Sequence, residues 1–315
     1  MRRTALPLVL IGLAAGVASW GAVRVGADLA PPGFDPDRIR WQALRYEAAK
    51  LFVSAKASVQ IEPLAGDLGD VLIPTPRGRA LAAESAAERP GIRRLSLRSQ
   101  VLGRKSLEEV WFDGRTGSAL QRSKLREGGR RYRKVHRHTL DGVFERRSAP
   151  ADVDEAVGPV DAWSQVEERW IERPATLAVT CPVVLEPALL FYLLSAHPWW
   201  GEGDAFEICA FSKGEVHRLE LRAAGRERIE VDYRVGEQRR FGEVEALRVT
   251  LSALPILGEP LLGERKDEVE AFELMELEGP IELFVDPELG APIEIRGEMS
   301  PLGEVSVRLV GATLR

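Results

Sequence analysis

The sequence predicts a mainly β (α+β) protein. The expected architecture is a curved antiparallel sheet or open half-barrel around one buried helix, preceded by an N-terminal export segment. Three observations carry this. Apolar and polar residues alternate over many short runs, which is the period of half-buried strands. Asp-Gly and Gly-Gly turns separate those runs at short intervals, so neighbours pair antiparallel, since a parallel pair needs a long crossover. One run breaks the alternation: Glu186 to Ala196 (EPALLFYLLSA) is apolar on all sides behind Pro187. Proline suits the first helical position, and a helix apolar all round has to be buried.

The chain opens with Arg2 and Arg3, followed by 19 uncharged residues from Ala5 to Val23. Basic, then apolar, then small residues is the layout of an export signal. Residues 1–27 are therefore expected to be a signal peptide cut after Ala27, or an uncleaved anchor contacting the membrane through residues 5–23. The expected location is periplasmic or secreted, with a tether to the inner membrane in the second case. Residues 28–38 (DLAPPGFDPDR) read as a Pro-rich spacer, and residues 39–315 as one β-rich domain.

Leu51, Val53, Ala55, Ala57, Val59 and Ile61 alternate as a first strand. Residues 62–90 carry four prolines and read as a long loop, with a short helical turn near Arg79 to Glu88. Leu95 to Val101, Leu107 to Phe112, Ala119 to Arg126 and Arg131 to Thr139 follow as a meander, punctuated by FDGRTG, EGG and DG. Phe206 to Phe211, Val216 to Arg222, Ile229 to Tyr233 and Ala246 to Leu251 resume after the helix. The last hairpins run from Ile281 to Leu309 through the turns VDPELG and SPLG. FDGRTG and FVDPELG share one chemistry: Asp accepts backbone N–H groups at the turn start and Gly supplies positive φ at its end.

The net charge of −5 argues against a general nucleic-acid binder. No G-x-S-x-G elbow, H-E-x-x-H, P-loop or G-x-G-x-x-G occurs, so no catalytic residue, metal ligand or cofactor is assigned. His136 and His138 share a strand face, but Arg133, Lys134 and Arg137 surround them and repel a cation; a solvated basic strand is expected. His197 and His217 belong to no motif and read as structural. Cys181 and Cys209 are a candidate disulfide closing a loop of about 28 residues, with two buried free thiols as the alternative.

Charge is segregated. Arg115 to Arg147 holds eleven Arg or Lys against three acids. Arg122, Lys124, Arg126, Arg131, Arg133 and Arg137 form a candidate basic patch for an anionic lipid or envelope polymer. The competing expectation is a solvated face neutralised by Asp152, Asp154 and Glu155. Leu190, Phe191 and Leu194 on the helix, with Trp199 and Trp200 after it, are the candidate contacts for an acyl chain; rings that only plug the core are the alternative.

The segments EVWFDGRTGSALQR, DGVFERR, LEPALLFYLLSA and IELFVDPELGAPIEIRGEMSPLGEVSVRL resemble, over roughly Trp41 to Arg315, a bacterial envelope family of unknown function (domain of unknown function 3108). The resemblance implies a periplasmic protein similar in shape to lipoprotein-carrier half-barrels, and it transfers no functional residues. The expected function is a non-enzymatic exported envelope protein that binds a lipid or acyl-chain ligand. The alternative is a structural or scaffolding protein that binds a protein partner along a sheet edge.

Overall fold

The computed structural model describes residues 34–50, 53–81, 84, 91–101, 103–198, 202–256 and 272–315. The export segment, residues 28–33 of the spacer, and Trp199 and Trp200 lie outside the described residues. So does most of the helical turn expected near residues 79–88. Among the described residues, no helix is long and apolar enough to cross a membrane.

The structure is mainly β and forms one large curved sheet. Its first eight strands are β1 (Trp41–Lys50), β2 (Val53–Pro63), β3 (Ile92–Val101), β4 (Arg104–Asp113), β5 (Ala119–Glu127), β6 (Tyr132–His138), β7 (Gly142–Ala149) and β8 (Gln165–Glu172). The remainder are β9 (Val184–Leu185), β10 (Ala205–Ser212), β11 (Glu215–Val235), β12 (Gln238–Pro255), β13 (Glu278–Asp286), β14 (Ala291–Met299) and β15 (Gly303–Leu314). The order is β8 to β1, then β15 to β9. Two meanders therefore meet where the first strand pairs with the last.

Two of the expected strands are continuous. Val216 to Arg222 and Ile229 to Tyr233 are one strand, β11, bent at a register shift between Ala223 and Arg226. Gly225 supplies the positive φ (98°) that the bend needs. The bend carries the end of β11 across to β15, where Arg234 and Val235 pair in parallel with Gly311 and Ala312. Strands β11 to β15 thereby close a circuit, while β8 remains an edge.

The helix Leu190–Ala196 packs its whole circumference into the core, and every one of its residues is buried. A buried Leu or Phe contributes about 1.5–3 kcal/mol. Polar handles fix its rotation. Trp41 Nε1 donates to Ser195 Oγ at 2.9 Å, and the Tyr192 hydroxyl donates to the Gly114 carbonyl. The Tyr192 ring sits edge-on against Phe112 at 4.7 Å and Phe34 at 6.2 Å. On the opposite face, described residues of the long loop pack on the sheet. Leu68 and Leu81 pack on Ile92 and Leu120, and Gln121 bonds both Ile73 N and the Val71 carbonyl at 2.8 Å.

The two Asp turns match in geometry. Arg115 N donates to Asp113 Oδ1 at 2.8 Å, and Glu288 N donates to Asp286 Oδ1 at 2.7 Å. Gly117 N and Gly290 N each bond the turn Asp carbonyl at 2.7 Å, with φ of 73° and 65°.

Candidate functional site

Strand alternation sorts the basic segment into two faces. On β6, Tyr132, Lys134, His136 and His138 share the face that carries the helix; Arg133 and Arg137 point the other way. The six candidate patch residues therefore do not form one surface. Arg133 pairs with Asp161 at 2.9 Å. Arg131 donates to the Ala156 carbonyl and lies over the Trp163 ring. Arg137 is buried and bonds the Leu120 and His138 carbonyls and Glu84. Nor are the expected neutralising acids the ones used. Asp152 caps the short helix Val153–Val157, and Glu155 accepts from Ala151 N and Ser164 N. Glu167 and Glu168 on β8 take Arg147 and Arg146 instead.

On the helix-bearing face, the ladder builds continuous rows. One runs Leu97, Glu108, Lys124, Lys134, Arg147, Glu167. The next runs Leu95, Val110, Arg122, His136, Glu145, Arg169. Each begins apolar near β3 and becomes charged toward β8. Lys124 stands directly opposite Lys134, and like charges in that position are destabilising. Sequences tolerate such local conflict mainly at functional sites.

A cleft of about 410 Å³ opens on these rows. Its basic lining is Arg104, Lys105, Arg122, Lys124, Arg126, Lys134 and Lys213, with Ser99, Ser106 and Tyr132. Leu97, Pro187, Ala188, Leu274, Met275 and Met299 add apolar surface, interleaved with Glu108, Glu273, Glu276 and Glu278. Some of these cations are neutralised. Lys213 pairs with Glu278 at 2.7 Å and Glu273 at 3.3 Å, Lys134 with Glu145 at 3.4 Å, and Arg122 with Glu108 at 2.8 Å. Arg104, Lys105, Lys124 and Arg126 make no ion pair with any described residue.

The cleft floor is a buried ionic network, and it corrects the expectation of a solvated basic strand. His136 is 3% exposed and His138 is 4% exposed. His138 Nε2 donates to Glu186 Oε1 at 2.7 Å, and His136 Nε2 donates to Glu145 Oε2 at 3.0 Å. Burial pushes the Glu186 carboxyl up, but the Arg122 guanidinium and the His138 ring outweigh it and hold the group down at about 2. Burial likewise opposes Glu145, which His136, Lys134 and Arg169 hold at about 2. Arg122 loses solvent, yet Glu108 and Glu186 raise it above its ordinary value. Glu186 stands just before the helix, 48 positions from His138, so no strand pattern could have placed it beneath β6. Among the described residues, no cluster suits a metal ion.

Three histidines set an acid limit. Burial holds His138 and His217 below the usual imidazole value, and burial lowers His197 to about 4. The folded state thus prefers neutral rings. Stability from these groups is complete above about 6.5, the unfolded value, and is lost as pH falls toward 4. Glu145 and Glu186 contribute stability present above about 4.5, so they are silent over this window. From pH 7 to pH 5, His197 alone is expected to cost about 2 kcal/mol. Urea midpoints at the two pH values measure this. An unchanged difference in His197→Phe, whose ring still stacks on Phe206, sinks the assignment.

Leu190, Phe191 and Leu194 lie in the core rather than on the cleft lining. Cys181 and Cys209 form a disulfide with a Cα separation of 5.7 Å, packed with Val143, Ile171, Val184 and Phe211. The edge strand β8 carries Glu167, Glu168, Arg169 and Glu172, and charge along an edge discourages strand addition. The chain matches no family model, no curated protein and no solved structure.

Proposed function

We propose that this chain is a non-enzymatic exported envelope protein, akin to the family of unknown function it resembles, that binds an anionic amphiphile. The ligand's charged end lies on Arg104, Lys105, Lys124 and Arg126, and its apolar portion lies along Leu274, Met275 and Met299. One observation carries this reading: four cations that make no ion pair with any described residue share a single cleft with Leu274, Met275 and Met299. Unneutralised cations gathered in a concavity attract anions from a distance. The volume falls within the range of small-ligand pockets, which is roughly 300–1,000 Å³. The packed helix leaves the acyl portion at the cleft wall instead of along Leu190 to Leu194.

Titration calorimetry with decyl phosphate and with decanol tests the reading. Decyl phosphate is expected to bind and decanol to bind far more weakly, with affinity falling as salt rises. The double variant Lys124→Ala, Arg126→Ala is expected to lose about 10- to 100-fold, since two charge-assisted contacts disappear. Equal binding of the two ligands, or an unaffected double variant, overturns the proposal.

A further inference from the structure

We propose that the distal part of the β11–β12 hairpin is a self-association surface. Its partner is a second copy of this chain, docked face to face with the strands antiparallel. This stands apart from the anion-binding reading above.

Strand alternation defines the face. Ile229, Val231 and Tyr233 on β11 are buried, so Arg228, Glu230, Asp232 and Arg234 point outward. Antiparallel pairing sets Glu245, Glu243, Phe241 and Arg239 of β12 beside them, on the same side. All eight are exposed. β13 pairs with β12 only from Leu247 to Leu251, so this stretch of β12 has β11 as its one strand partner among the described residues. Phe241 is 73% exposed at the middle of the face, with the Arg239 guanidinium over its ring at 5.3 Å.

The order of charges selects the occupant. On the tip side of the Asp232–Phe241 pair, Arg234 stands opposite Arg239; on the other side, Glu230 stands opposite Glu243. Like charges directly opposite are destabilising. Arg239 finds a local partner in Asp232, at 2.7 Å through two nitrogens. Arg234, Glu230 and Glu245 make no ion pair with any described residue, and Glu243 has only a 3.9 Å contact with Arg228. A second copy relieves both conflicts, because in a two-fold pair the same patch meets itself. A two-fold axis running across the strands at the Asp232–Phe241 pair lays Arg234 and Arg239 of each copy on Glu230 and Glu243 of the other. The same axis brings the two Phe241 rings together at the centre. An aromatic anchor inside a charged rim is a common composition for an interface. Eight residues a side is fewer than the roughly 20–30 of a standard interface, so the dimer is expected to be weak, with a Kd of about 10–100 μM.

Sedimentation equilibrium of the whole protein, from about 5 to about 500 μM, tests this. Wild-type protein is expected to pass from monomer to dimer over that range, and added salt to weaken the dimer. Phe241→Ser is expected to weaken it at least about tenfold. Two charge-reversed proteins give the sharper test. One carries Glu230→Arg and Glu243→Arg, the other Arg234→Glu and Arg239→Glu. Each is expected to stay monomeric alone, because like charges now meet across the axis. Mixed in equal amounts, they are expected to form a heterodimer within about threefold of wild-type affinity, a recovery that damage to folding cannot produce. A wild-type monomer throughout overturns the proposal and leaves the face to another protein or to solvent. A dimer that persists in Phe241→Ser overturns it by placing the contact elsewhere. If both charge-reversed proteins stay monomeric when mixed, the antiparallel two-fold arrangement is overturned.

Discussion

Asp286→Ala is expected to lower stability by about 3–5 kcal/mol, the cost of removing one partner from a buried ionic cluster. Asp286 is fully buried. Its Oδ2 accepts from the Tyr233 hydroxyl at 2.6 Å and from Arg240 at 2.9 Å; its Oδ1 accepts from Glu288 N at 2.7 Å and Leu289 N at 3.2 Å. The carboxylate thus holds the β13–β14 turn and docks the distal part of the β11–β12 hairpin on it. Burial and the hydrogen bond to Asp286 both raise the Tyr233 hydroxyl above its ordinary pKa, so it stays a donor at any physiological pH. Alanine leaves that hydroxyl and two backbone amides without their acceptor, and leaves Arg240 only Glu288 as a carboxylate partner. The matching Asp113 holds its own turn but takes no long-range donor among the described residues, and Asp113→Ala is expected to cost only about 1–2 kcal/mol. Urea unfolding of both variants measures the difference. A loss below about 1 kcal/mol for Asp286→Ala would show that the circuit of β11 to β15 closes without this latch.

Removing the disulfide through Cys181→Ala and Cys209→Ala is expected to cost about 3–4 kcal/mol on the chain-entropy estimate for a 28-residue separation. The bridge ties the segment after β8 to β10, and β9 pairs in parallel with β10 at Cys209 and Ala210. That segment delivers Glu186 under His138. Loss of the bridge is therefore expected to weaken anion binding as well as stability. The two sulfurs belong to buried residues, so reductant at low temperature is expected to act slowly on folded protein. Denaturant midpoints of the double variant, alongside decyl phosphate titration, test both parts. An unchanged midpoint contradicts the role given to the bridge.

Much of the fold was legible wherever a local rule governed it. The Asp turns, the C-terminal hairpins and the buried helix all follow from residues within one turn or one strand. Failures occurred where the local signal was interrupted or overridden. Trp41–Lys50 carries buried Trp41, Leu44, Tyr46 and Ala48, but register shifts against β15 break the two-residue period. β8 shows almost no apolar alternation because it is an edge exposed along most of its length. β11 reads as two strands because Gly225 sits at its bend.

The cleft shows the same limit. Alternation alone splits Lys124 and Lys134 from Arg133 and Arg137, and that sorting was available from the sequence. What was not available was the cover. Glu186, Phe211 and the 273–278 segment arrive from distant positions, and they turn His136 from a solvated residue into a buried one. The run of basic residues from Arg115 to Arg147 was a local hint of a binding surface.

The most direct test of the cleft as the binding site is a crystal structure of the protein soaked with decyl phosphate. The phosphate is expected among Lys105, Lys124 and Arg126, with the alkyl chain along Leu274, Met275 and Met299. A ligand seated instead against Leu190, Phe191 and Leu194, with the cleft empty, would contradict the account.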